Sequence, residues 1–133
     1  MDYQKLTISS DRAPKAIGPY SQAIRAGHVI YTSGQLGMDP ASGALVDGGV
    51  EAETRQALQN LESILSSAGT DLASVLKTTV FLRDINDFTR MNGIYQEFFK
   101  DQPPARSAVQ VAALPKGAAV EIEAVALLRH VGA

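Results

Sequence analysis

The sequence has 133 residues, 45% of them hydrophobic and 20% charged, with a formal net charge of −2. That is the size and balance of one soluble domain, 1–133, with a sizeable core. No basic run offers an electrostatic footprint for nucleic acid, no apolar run approaches the ~18 residues of a membrane span, and the absence of cysteine excludes disulfides and thiol catalysis.

The opening MDYQKLTISS lacks the apolar segment of a secretory signal, so cytoplasm is the expected compartment. Lys5 to Ser10 alternates and reads as a short strand. Tyr20 to Arg25 and Val29 to Ser33 flank Ala26-Gly27-His28, a hairpin signal. Met38 to Gly49 holds Pro40, Gly43, Gly48 and Gly49 and reads as a loop. The period then changes. Ala57, Leu61, Ile64, Leu65 and Ala68 form one stripe of an amphipathic helix. Glu51 and Glu53 are expected in its first turn, facing the positive dipole end, and Gly69 is expected as a left-handed C-terminal cap.

Val75 to Arg83 is β-branched and alternating, hence a strand. Asn86 or Asp87 is expected to cap a second helix with the stripe Phe88, Met91, Tyr95, Phe98 and Phe99. Pro103 and Pro104 stop it. Arg106 to Ala112 and Ala119 to Leu128 are the last strands, joined by Leu114-Pro115-Lys116-Gly117. No linker, internal repeat or low-complexity tract interrupts the chain. The order β, β, β, α, β, α, β, β suits an α+β domain, a single mixed sheet with two helices on one face.

Strand side chains alternate between faces. Val120, Ile122, Ala124 and Ala126 are expected to meet the helices. The helix-free face is expected to carry Glu121, Glu123, Arg106, Gln110 and Ser33 among the apolar Ala108, Val125, Leu127 and Phe81. A face half apolar and half polar is poorly suited to bare solvent, so a second copy of the chain is expected to cover it.

Arg106 is the sharpest chemical candidate. A planar guanidinium grips a carboxylate through two parallel hydrogen bonds; the competing reading is a salt bridge to Glu121 or Glu123. Those two glutamates start ~7 Å apart on one strand. A glycosidase could use such a pair, but the chain has no tryptophan and few other aromatics for a sugar cleft. Ser33 sits in YTSGQLG, not in a nucleophile elbow. The two histidines, His28 and His130, stand at no useful spacing for a triad or for zinc. Ser33 reads instead as a hydrogen-bonding group beside Gly34, where a missing side chain lets a ligand approach the backbone. No phosphate or dinucleotide glycine motif is present. Asn92 and Tyr20 read first as a helix-surface amide and a packing tyrosine.

With these residues in place, the chain resembles the reactive intermediate deaminase A (RidA) family of small imine deaminases. The likeness runs from APKAIGPYSQAI through YTSGQLGMDPASG and VLKTTVFLRDINDF to the end. Its most specific stretch is PARSAVQVAALPKGAAVEIEAVAL, in which Pro-Ala-Arg-Ser precedes Glu121 at family spacing. The resemblance implies a chorismate-mutase-like α+β fold assembled as a homotrimer, with sites between subunits. It implies hydrolysis of 2-imino acids, such as 2-iminobutanoate and 2-iminopropanoate, to 2-keto acids and ammonia without cofactor or metal. It implies Arg106 as carboxylate anchor, Glu121 as the residue positioning water, and Tyr20, Ser33, Gly34, Asn92 and Ala108 as pocket positions. Position 108 is cysteine in some members, so no thiol serves here. The competing functions are a non-catalytic keto-acid-binding module, a stress chaperone, and a ribonuclease-type translation inhibitor. The acidic balance counts against the last.

Overall fold

The computed structural model describes residues 4–129. Among them seven strands form one sheet: β1 (Lys5–Ile8), β2 (Ala23–Ala26), β3 (Val29–Thr32), β4 (Gln35–Leu36), β5 (Val75–Leu82), β6 (Ala105–Gln110) and β7 (Val120–Leu127). The strand order is β1-β2-β3-β7-β5-β6, and β4 also pairs with β7. β5 and β6 are parallel, the crossover between them carrying a helix. The other pairs are antiparallel. This is the expected α+β architecture. It adds β4, whose two residues are too few to show alternation.

The first helix, α1, spans Gly49–Ser67. Its stripe of Ala57, Leu58, Leu61, Ile64 and Leu65 is fully buried against the sheet. It ends as expected at Gly69 (φ +87°): the N–H of Thr70 donates to the carbonyl of Leu65, and that of Gly69 to Ser66, the paired pattern of a Schellman cap. Glu51 lies in the first turn, but Glu53 lies a turn further in and is buried. Its Oε1 accepts the Ala119 N–H at 2.9 Å. A buried backbone donor at the start of β7 needs that partner, so Glu53 ties α1 to β7 and does not serve the helix dipole.

The second helix, α2, spans Phe88–Phe98. Met91 and Tyr95 are buried in the core, with Phe99 just past the helix end. Asp87 occupies the N-cap position, as expected of Asn86 or Asp87, but its side chain makes no capping hydrogen bond. A short 3-10 turn, Ile85–Asp87, precedes the helix, and the Asp84 side chain accepts the Asn86 N–H. Asp87 pairs with Arg90 instead.

Register decides which side chains share a face. Thr78, Val80 and Leu82 of β5 stand opposite Ala124, Ile122 and Val120 of β7, and all six are buried under the helices. The same three β5 residues stand opposite Arg106, Ala108 and Gln110 of β6. Arg106, Ala108 and Gln110 therefore lie on the helix face, contrary to expectation. β6 is an edge strand whose helix side is only partly roofed, so a small Ala108 packs on the core and Arg106 lies against α2. The more apolar Val109 points the other way, in line with Phe81 and Glu121.

Candidate functional site

Glu121, on the helix-free face of β7, is half-buried beside the break between β3 and β4. That break is Ser33-Gly34. The Ser33 N–H donates to the Gln22 carbonyl at 2.9 Å, and its Oγ donates to the Ser21 carbonyl at 2.6 Å. The Glu121 carboxylate fills the space a side chain at position 34 would need. A Cβ on Gly34 would lie 2.7 Å from Glu121 Cδ and 2.9 Å from Cγ, with Oε2 nearer still. Such separations do not occur between real atoms, so the glycine is what admits the carboxylate.

These residues line a cleft of about 400 Å³ that also takes in Tyr20, Ile17 and Lys116. The loop carrying Ile17 and Tyr20 is held by Gln22. Its Oε1 accepts the Ser10 N–H at 2.6 Å, and its Nε2 donates to the carbonyls of Ser10 and Pro14 at 3.2 and 2.8 Å. Tyr20 is about half exposed, 49%, with its ring at the cleft. Burial pushes the Glu121 carboxyl above the ordinary carboxylate range, and the neighbouring Glu123 adds to this. None of the ion pairs among the described residues engages Glu121.

Arg106 belongs to a second cluster. Its Nη1 donates to Asn92 Oδ1 at 2.7 Å. Its guanidinium lies 4.7 Å from the Tyr95 ring centroid and 5.3 Å from that of Phe88, within cation–π range. The Tyr95 hydroxyl shares a buried hydrogen bond of 2.7 Å with Thr78 Oγ1. Burial raises the Tyr95 pKa, while the Thr78 bond and the Arg106 charge pull it back. A depression lined by Asn92, Tyr95, Pro103, Pro104 and Arg106 opens beside the guanidinium. No carboxylate among the described residues pairs with Arg106, so the salt bridge to Glu121 or Glu123 is not formed.

The expected site residues thus fall into two groups. Tyr20, Ser33, Gly34 and Glu121 converge on one cleft. Asn92 and Arg106 converge on another, with Ala108 on the same sheet face. Register puts Arg106 and Ala108 on the face of the sheet opposite Glu121. Sequence reasoning missed Gln22, Ile17, Lys116, Phe88 and Tyr95 as parts of these clusters. The last two carried a signal, since Phe88, Asn92 and Tyr95 share one face of α2 at helical spacing. Among the described residues no group of His, Asp and Glu is arranged to hold a metal ion, and no helix is long and apolar enough to cross a membrane. His28 contributes its carbonyl to Leu128; His130 lies outside the described residues.

Residues 10–128 match the family model described as Endoribonuclease L-PSP. A Homo sapiens protein named 2-iminobutanoate/2-iminopropanoate deaminase is 60% identical over 120 residues, 90% of this chain and 88% of that protein. The crystal structure of RidA from the Antarctic bacterium Psychrobacter sp. PAMC 21119 superimposes with a TM-score of 0.89 at 44% identity, covering 92% of this chain and 98% of that one. That of E. coli TdcF with bound serine superimposes with a TM-score of 0.88 at 41% identity, covering 92% and 98%. With 60% identity carried across nine-tenths of its length and the same fold at TM-scores near 0.9, the chain belongs to the Endoribonuclease L-PSP, or RidA, family.

Proposed function

We propose that this protein hydrolyses 2-imino acids, 2-iminobutanoate and 2-iminopropanoate among them, to 2-keto acids and ammonia, in a site assembled from two copies of the chain. The relative's name supports the reaction class. One observation carries the site: an arginine without a carboxylate partner on one face of the sheet, and a half-buried carboxylate without a cation partner on the other. Each sits in its own cleft, and neither cleft alone holds both an anchor and a base. Apolar side chains on the helix-free face argue for a covering copy, with Tyr31 51%, Val109 44% and Leu127 43% exposed. A cyclic trimer, in which one copy's Arg106 cleft meets the next copy's Glu121 cleft, satisfies both needs.

The chemistry asked of the site is modest. The guanidinium of Arg106 holds the substrate carboxylate and with it the position of the imine carbon. Glu121, ionised, accepts a proton from a water as its oxygen bonds to the carbon of the protonated imine, the C=N pair moves to nitrogen, and a neutral carbinolamine forms. Glu121 then returns that proton to the nitrogen. As the C–N bond breaks and ammonia leaves, the Glu121 carboxylate takes the hydroxyl proton, the C=O bond forms, and the proton passes from Glu121 to the departing ammonia, leaving the keto acid and an ionised Glu121. One water is consumed and no electrons change hands, so the reaction needs no redox cofactor. A carboxyl held above its ordinary pKa is the better proton donor near neutral pH for the second step. Ser33, Gly34 and Tyr20 shape the pocket beside Glu121, while Ala108 offers no competing nucleophile.

The test generates 2-iminobutanoate from threonine with a purified dehydratase and follows 2-ketobutanoate release. Acceleration by the wild type, absent with Arg106→Ala, is expected. Equal rates with and without the protein would overturn the assignment.

A further inference from the structure

We infer that Tyr95 and Phe88 are positioning residues that fix the plane of the Arg106 guanidinium, and so make that site select a planar carboxylate rather than anions in general. The inference rests on Arg106 being the carboxylate anchor proposed above.

A free arginine side chain samples many rotamers, and a mobile guanidinium is a point charge that takes any anion. Arg106 is restrained by three side chains. Asn92 Oδ1 holds one Nη at 2.7 Å, and the rings of Phe88 and Tyr95 bracket the guanidinium at 5.3 and 4.7 Å. All three partners project from one face of α2, so a single rigid element sets the angle. The Tyr95 ring is itself locked. Phe99 packs on it at 4.7 Å between centroids with a 37° tilt, and its hydroxyl is bonded to Thr78 at 2.7 Å. Thr78 is the residue of β5 directly opposite Arg106. The ring under the guanidinium is therefore anchored at the base of the arginine's own strand pair. With one edge used by Asn92 and the plane fixed by the rings, the remaining N–H groups form a fork of fixed direction, which fits two oxygens of a carboxylate.

The test measures 2-ketobutanoate binding by calorimetry and imine turnover for wild type, Tyr95→Leu, Tyr95→Phe, Phe88→Leu, Arg106→Ala and the double variant Tyr95→Leu/Arg106→Ala. Loss of the Tyr95 ring is expected to raise both Kd and KM about tenfold, and Tyr95→Phe, which keeps the ring, no more than about threefold. The pH dependence of kcat, which belongs to Glu121, is expected to stay in place. In the Arg106→Ala background, Tyr95→Leu is expected to add no further loss, because its effect runs through Arg106. If Arg106→Ala binds 2-ketobutanoate like the wild type, the anchor assignment itself fails. If Arg106→Ala loses binding while folded Tyr95→Leu and Phe88→Leu keep wild-type affinity, the positioning role alone is overturned. Should Tyr95→Leu fail to fold, Phe88→Leu, at the half-buried rim, decides.

Discussion

Arg106 and Glu121 stand on opposite faces of one sheet. Arg106 shares a face with Thr78 and Ala124, whereas Glu121 shares the other with Phe81 and Val109. Val109 is three residues beyond Arg106 on β6, an odd step that reverses the face. Within a single chain the two side chains are separated by the thickness of the sheet, and a small imino acid cannot touch both. Every prediction about catalysis inherits that geometry.

Gly34→Ala is expected to damage chemistry more than folding. The new Cβ would strike the Glu121 side chain, which is the movable end of a flexible group, and position 34 needs no left-handed backbone. Displacing a catalytic group by about 1 Å can cost on the order of 100-fold in rate. We expect kcat/KM to fall by between tenfold and a hundredfold, with a melting temperature within a few degrees of wild type.

Gly37→Ala is expected to do the reverse. Its Cβ would lie 2.5 Å from Glu53 Cα and 2.6 Å from the Glu53 carbonyl oxygen. Backbone atoms of a helix cannot swing aside, so α1 must shift, at a cost of about 1–3 kcal/mol or more. Glu53→Ala attacks the same junction by leaving the buried Ala119 N–H unpaired, a loss of about 1–3 kcal/mol. Urea denaturation of both variants should show these losses; wild-type stability would show that the α1–β7 junction is not a structural anchor.

The effect of Glu121→Gln on stability grows with pH. Burial raises the Glu121 pKa above its ordinary 4.5, so the folded chain holds this proton more tightly than the unfolded chain. The associated stability is complete in acid and is lost as pH rises from near 4.5 through the raised value. The amide carries no charge to bury. Glu121→Gln is therefore expected to melt above the wild type at pH 7 and to match it at pH 4, while losing activity. A variant less stable than wild type at pH 7 would show that the ionised carboxylate is well solvated or paired.

Arg106→Lys is expected to rescue little. An ammonium offers no fork and stacks poorly between Phe88 and Tyr95. The activity of Arg106→Lys should lie closer to Arg106→Ala than to wild type in the coupled dehydratase assay.

Much of this was legible in the sequence because strong periodicity has one physical cause. The α1 stripe, its Gly69 cap and the β7 alternation each follow from burial of a single face. What alternation within a strand does not specify is its phase relative to the next strand. For β6, Arg106, Ala108 and Gln110 were expected on the helix-free face, yet they lie on the helix face, Arg106 beside Phe88 and Tyr95, while Val109 faces outward. An edge strand tolerates this because the aromatic rings of α2 cover the guanidinium, and because an apolar outer face suits a further copy of the chain. Glu53 illustrates a second limit: a first-turn position and a buried tie to Ala119 share the same sequence pattern. The family resemblance implied Tyr20, Ser33, Gly34, Asn92 and Ala108 as pocket positions with Arg106 and Glu121; within one chain, Tyr20, Ser33, Gly34 and Glu121 line one cleft, and Asn92 and Arg106 another. The register then separated Arg106 from Glu121.

The decisive measurement is complementation between inactive copies. Arg106→Ala and Glu121→Gln chains, carrying different tags, would be co-expressed, isolated as mixed assemblies and assayed for 2-ketobutanoate release from 2-iminobutanoate. If each site takes its arginine from one copy and its glutamate from another, every mixed trimer has one boundary in three with both native residues, and activity should return to roughly a third of wild type. If the mixed assemblies stay as inactive as either parent, Arg106 and Glu121 do not meet across a chain boundary, and the composite site is wrong.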